Sequence, residues 1–262
     1  FYVYHPSLEP KQTFNSHCSE SERTIVLGCY VSRGGIYIYD VTDDRLAGVE
    51  EVTAAHEMLH AAYDRLKPQE KQRLNNLLGE TFTSLKDVRI SAAVDKYRQK
   101  DPNIVPNELH SILGTEVMDL PKELEAYYKR YFSNRSAIVT LSQQYEQAFD
   151  DRRNSVAADD EKLKALKAQI DGLDVALESQ KQVLNAQRAK MDKLIANNQV
   201  TEYNNAVPEY NQQVATYNVN VVTAKSLIET YNALVKERNN LVLEENELIK
   251  AIDSRPSTLN SQ

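Results

Sequence analysis

No apolar run in the 262 residues approaches the roughly 20 that a helix needs to cross a bilayer, so the chain carries no membrane span. Nor is there a basic stripe interleaved with aromatic residues. With a net charge of −7, that absence argues against a nucleic-acid surface. Cysteine is limited to Cys18 and Cys29, which flank one short loop. A disulfide closing that loop contributes about 3 kcal/mol and fits an exported protein; the alternative is two buried thiols. His17 beside Cys18 has no further Cys or His at ligand spacing, so no second metal site is read there. Glycine nearly vanishes beyond Ala137, where Gly172 stands alone. That sets the second half of the chain apart from the first.

Histidine is also scarce, with five in all, and two of them fall in Thr53-Ala54-Ala55-His56-Glu57-Met58-Leu59-His60-Ala61-Ala62. Val49, Val52, Leu59 and Ala62 give a helical apolar stripe there. Thr42, Asp43 and Asp44 offer N-caps, and no Pro or Gly interrupts 49–67. Four residues apart on one helix face, His56 and His60 can grip one zinc ion, and Glu57 then faces the attacking water as general base. The competing reading is a surface helix with two unrelated histidines. Flanking by Ala and Leu, rather than by charge, counts against it.

Upstream, Thr24 to Val31 and Ile36 to Val41 are rich in Val, Ile and Tyr, and Ser32-Arg33-Gly34-Gly35 between them signals a turn. A β-hairpin is expected. Such a strand either adds an extended peptide over the metal or only covers the helix. Downstream, Leu74, Leu77, Leu78 and Phe82 mark a further helix, with a break before Asp101-Pro102. Two histidines leave a catalytic zinc one protein ligand short, and Glu is a common third. Glu108 and Glu116 are the contenders. Glu116 shares a stripe with Leu109, Ile112 and Leu113, which predicts a buried carboxylate in need of a partner. His110 is a candidate to support a ligand or the transition state, or to pair with Glu116. A last short helix opens at Leu120-Pro121, and its Tyr127, Tyr128 and Tyr131 read mostly as core.

His56-Glu57-Met58-Leu59-His60, followed some fifty residues later by Asn107-Glu108, resembles the gluzincin metallopeptidases, the group of thermolysin and aminopeptidase N. In those families the third zinc ligand is a Glu, often preceded by Asn, near the start of a second helix, with a small residue one turn on. Asn107, Glu108 and Ser111 match that pattern. The resemblance covers roughly residues 49 to 120 and implies a zincin-like peptidase head, with Glu108 as third ligand. Neither the Gly-Phe-Ala of aminopeptidases nor the acidic residue of thermolysin follows. Long stretches are also similar to uncharacterised bacterial membrane-anchored proteins. The chain opens on Phe1-Tyr2-Val3-Tyr4 rather than Met, and the expectation is a removed signal peptide or membrane anchor upstream.

From about Ala137 the composition is that of a coiled coil. Leu163, Leu166, Ile170, Leu173, Leu177, Gln180, Leu184, Gln187, Met191 and Leu194 recur in threes and fours. Beyond a break near 198–207, Val207, Tyr210, Val214, Tyr217, Val221, Ala224, Ile228, Tyr231 and Val235 do the same. Two similar seams joined by a polar break predict an antiparallel hairpin, against the alternative of two chains with parallel helices. Gln180 and Gln187 weaken the seam and set register, or mark where another helix docks.

The expected architecture is mainly α: an α+β, zincin-like head at 1–136, a coiled-coil hairpin at 137–254 and a disordered tail at 255–262. The expected function is a zinc-dependent peptidase acting on a peptide or protein, exported or at the cell surface, whose hairpin positions the head or binds a protein partner. The alternative is a non-enzymatic interaction protein that keeps zinc structurally or not at all. Three protein ligands and an open position separate the first from the second.

Overall fold

The computed structural model describes residues 6–18 and 26–255. The protein is mainly α-helical, with one small sheet near its N-terminus.

Alternation in Gly35-Ile36-Tyr37-Ile38-Tyr39 makes the central strand β3 (Gly35–Tyr39), which buries Ile36 and Ile38. Its antiparallel partner is β2 (Gly28–Val31), with Cys29 opposite Tyr37. The turn falls at Ser32–Gly34, where Arg33 adopts φ 65. Thr24 and Ile25, expected to begin the first strand, lie outside the described residues. A strand with no clear signal in its sequence, β1 (Ser7–Glu9), pairs parallel to the other side of β3. Helix α1 (Lys11–His17) follows, and a Cys18–Cys29 disulfide ties its end to β2.

The acidic stretch offered as an N-cap instead closes a 3-10 turn, Asp44–Leu46, in which Asp43 accepts from the Arg45 amide at 3.0 Å. Helix α2 (Val49–Asp64) starts one step later, at Gly48 with φ 95. Leu141 packs there so closely that a β-carbon would stand 2.9 Å from its Cδ2, so both conformation and space require glycine.

Four more helices complete the core: α3 (Pro68–Ser84), α4 (Val88–Lys100), α5 (Val105–Glu116) and α6 (Lys122–Tyr128). Together with α2 they bury Leu59, Leu78, Ile90, Val94, Leu113, Leu124 and Tyr128. Helices α2 and α5 cross at Gly114, where a β-carbon would lie 2.4 Å from Leu59 Cδ1 and 2.8 Å from Tyr128 Cε1. That close approach brings the start of α5 beside the histidines of α2.

The C-terminus of α5 is held by Arg135, the first residue of α7 (Arg135–Ala196). Its buried guanidinium donates to the Val117 and Met118 carbonyls at 2.6 Å each and pairs with Glu125. A cation at the negative end of a helix is placed where the dipole favours it.

The chain divides into two compact units, one of residues 1–151 with 245–262, the other of 152–244. The first unit thus runs past residue 136 and takes in the beginning of α7 and the end of α8 (Val200–Ile252). The reason is apolar: Leu248 is fully buried with Leu46 and Val49, and Tyr145, Phe149 and Ile252 pack around them. Lys11 Nζ donates to the Asp253 carbonyl at 2.8 Å, and Asn15 Nδ2 to that of Ser254 at 2.7 Å.

In the second unit α7 and α8 run antiparallel, matched across by Arg238 with Asp160 at 2.9 Å and Asn220 with Gln180 at 3.0 Å. Gln180 thus meets a polar partner within the seam. Just past the end of α7, Asn198 turns the chain with φ 61, stabilised by two reversed bonds: Gln199 N to Leu194 O at 2.8 Å and Asn198 N to Ile195 O at 2.9 Å. The break is therefore tighter than the seams indicate, and α8 resumes at Val200 with Pro208 inside it. Except for Arg255, the expected tail at 255–262 lies outside the described residues. Among those described, no helix is long and apolar enough to cross a membrane.

Candidate metal centre

The spacing of His56 and His60 places both imidazoles on one face of α2, their centroids 4.8 Å apart and nearly perpendicular. Glu108, in the first turn of α5, reaches the same point. Its Oε2 lies 3.7 Å from His56 Nε2 and 3.8 Å from His60 Nε2. The three side chains keep 19 %, 13 % and 16 % of their surface exposed, enough for a small molecule to approach. Together they form a group able to hold a metal ion, and no fourth His, Cys, Asp or Glu among the described residues joins it.

One turn along α5, Ser111 is fully buried between the two histidines. Its Oγ is 3.2 Å from His60 Nδ1 and 3.1 Å from the His56 carbonyl. A carbonyl can only accept, so the hydroxyl donates to His56 O and receives the proton of His60 Nδ1. That fixes the tautomer of His60 and leaves Nε2 as a lone-pair donor.

Burial works to raise the Glu108 carboxyl, but its neighbours His56, His60 and Tyr97 outweigh it and hold the group below the usual carboxylate range. Glu57 behaves oppositely. Only 7 % exposed, it is pushed up to about 7 by burial, with the His60 charge and a hydrogen bond from the Tyr30 amide pulling down and the Glu108 charge pushing up. Gly28 makes room for it: a β-carbon there would stand 2.5 Å from Thr53 Cγ2 and 2.9 Å from Glu57 Cγ.

The other contender for third ligand, Glu116, is drawn elsewhere. Its Oε2 pairs with Arg89 at 2.7 Å, and Arg89 also reaches Glu146 at 3.3 Å. The apolar stripe foretold a partly buried carboxylate with a partner, and that partner is a guanidinium. His110 is fully buried among the rings of Tyr63, Tyr127 and Tyr128, at centroid distances of 5.5, 5.5 and 5.6 Å. Neither of its nitrogens finds a hydrogen bond of good geometry, and desolvation lowers it to about 3, keeping the ring neutral. It touches neither Glu116 nor the ion-binding point through any such bond.

Tyr97 escaped the reading of the sequence. It continues the stripe of Ile90 and Val94 on α4 and packs against the buried core, a pattern that signals core alone, yet it also helps to hold the Glu108 carboxyl low. The Tyr30 amide was equally hidden, because a backbone donor leaves no residue-type signal. Comparison of the chain with protein-family models, curated proteins and solved structures finds no match.

Proposed function

We propose that the protein is a zinc-dependent peptidase, whose ion is held by His56, His60 and Glu108 and whose general base is Glu57. The observation that carries this reading is the convergence, among the described residues, of three ligand side chains beside a buried carboxylate of raised proton affinity. In a tetrahedral zinc site with bonds of about 2.0–2.1 Å, ligand atoms sit roughly 3.3 Å apart. The observed 3.7 and 3.8 Å need only a slight contraction to meet that. A structural zinc would take a fourth protein ligand, and three with an open position suit catalysis.

When bound, zinc would acidify water and polarise the scissile carbonyl. Glu57 takes the proton as the water oxygen bonds to the carbonyl carbon, and passes it to the amine as the C–N bond breaks. A base poised near neutral pH can do both. The Tyr30 amide and the space left by Gly28 hold its carboxylate in place through the cycle. The Cys18–Cys29 disulfide supports a location outside the cytosol, and the helical hairpin supports a role in positioning or in binding a protein partner.

The test is Glu57→Gln, which keeps shape but removes the base. Incubated with a broad peptide mixture, the wild-type protein should give cleavage that a chelator stops and zinc restores. The variant should keep its zinc and lose about 10²–10⁴-fold in rate. Cleavage undiminished in Glu57→Gln sinks this mechanism.

A further inference from the structure

We propose that the cavity beside the outer edge of β1 docks an extended, basic peptide segment of a partner protein, which adds a strand to the sheet and inserts one large apolar side chain. The strand order is β1-β3-β2, and among the described residues nothing pairs with the outer side of β1. The Glu9 carbonyl accepts from the Asp40 amide at 3.0 Å, which turns Glu9 towards β3. Alternation then turns the Leu8 amide and carbonyl to the open edge, where a partner's main chain can bond to them. The Leu8 side chain shares a sheet face with Ile38, its register partner, and is 56 % exposed. An added strand would cover it.

Beside that edge lies a cavity of about 550 Å³, walled by Leu8, Ile38, Ala55, Met58, Phe132 and Ile138. Pockets of roughly 300–1,000 Å³ take whole small ligands, so a phenylalanine side chain and part of its neighbours fit. Among the described residues, the only charged side chains lining it are Glu50 and Glu51. Burial raises the Glu50 carboxyl, and the Asp40 and Glu51 charges add to the rise, so an incoming cation relieves a local excess of negative charge. Side chains two apart on a strand share a face, and a Lys or Arg at that spacing from the inserted residue meets these carboxylates. A second copy of this chain fits worse, because two-fold pairing of β1 with β1 would bring two acidic patches together. Residues 51, 54, 55 and 58 occupy the face of α2 turned away from His56 and His60, so the site is separate from the metal centre and does not rest on the zinc reading.

The probe is a fluorescent, end-blocked peptide Lys-Val-Phe-Val-Lys, whose Lys, Phe and Lys share one strand face, titrated into the full chain and followed by anisotropy. Saturable binding is expected, with the same affinity whether or not a chelator is present. Exchanging both Lys for Glu, or methylating the Val and Phe amides, should weaken it about tenfold or more. In the chain, Glu50→Gln with Glu51→Gln should cost about tenfold, since Gln keeps the 2.8 Å acceptor for the Val41 amide and removes only charge. Ala54→Phe, which fills the cavity, should abolish binding with the melting temperature kept; if that variant melts early, the charge variants decide. Equal binding of the Lys and Glu peptides, binding that survives amide methylation or a folded Ala54→Phe, or no saturable binding overturns the inference. Binding that a chelator removes would put the peptide at the metal centre, and a dimer dispersed by Leu8→Arg would give the edge to a second copy; either result overturns it as well.

Discussion

Ser111 Oγ lies 3.2 Å from His60 Nδ1, so a hydroxyl on α5 sets the proton of an imidazole on α2. Ser111→Ala leaves the imidazole free to rotate and to exchange tautomers. Zinc affinity should fall about 10–100-fold, by competition titration, with the ion still bound at saturation. Undiminished affinity would mean that packing alone orients His60.

Gly114 bears on the same helix pair. In Gly114→Ala the new methyl meets Leu59 and Tyr128 at distances that demand movement, so α5 should shift from α2. We expect a loss of about 1–3 kcal/mol in unfolding free energy, as for other overpacked cores. Zinc should also bind more weakly, because Glu108 travels with α5. Adding Leu59→Ala opens the closest contact, so the two costs should combine to less than their sum in a denaturation cycle. Strict additivity would show that the helices do not meet there.

His110 gives the pH dependence a direction. Its folded value is depressed to about 3 by burial, whereas in the unfolded chain it titrates near the ordinary 6.5. Between those values the unfolded state binds the extra proton, so stability is complete above about 6.5 and falls as the pH drops toward 3. At pH 5 the loss should be on the order of 2 kcal/mol. Denaturant titrations of the metal-free protein at pH 5 and 7 should show it in the wild type and not in His110→Leu. An equal loss in the variant would assign the acid sensitivity to other groups.

The hairpin can be shortened only from its tip. Removing residues 165–233 and closing with a short turn keeps the Asp160–Arg238 pair and everything in the first unit, so zinc binding and its melting transition should persist. Removing 155–252 instead strips Leu248 and Ile252 from Leu46 and Val49. Burial of a leucine of this kind is worth about 2–5 kcal/mol, and the longer deletion should give a loosened, dye-binding protein. Equal behaviour of the two deletions in calorimetry would remove Leu248 from the core.

What the sequence disclosed divides by range. His56, Glu57 and His60 were readable because helix geometry alone brings i and i+4 together, and the two seams because their period repeats. Glu108 and Glu116 could not be separated on that basis: the stripe through Leu109, Ile112 and Leu113 reports burial, whereas which carboxylate reaches the histidines depends on Arg89, which arrives from α4 to pair with Glu116. Tyr97 and Arg135 share that difficulty. Each acts through the terminal atoms of a side chain on an element distant in sequence, and the letters around them report only a helix face. The Gly48 start of α2 was concealed by Asp43 and Asp44, two acidic neighbours that serve a separate turn.

Because Leu248 completes a cluster begun by Leu46 and Val49, the first unit cannot close until the end of α8 has been made. Some ninety residues must be translated between Asp151 and Glu245, which at roughly 5–20 residues per second takes about 5–20 seconds. Through that interval Leu46, Val49, Tyr145 and Phe149 lack their lid on the nascent chain. Until α8 returns, that apolar cluster is incomplete.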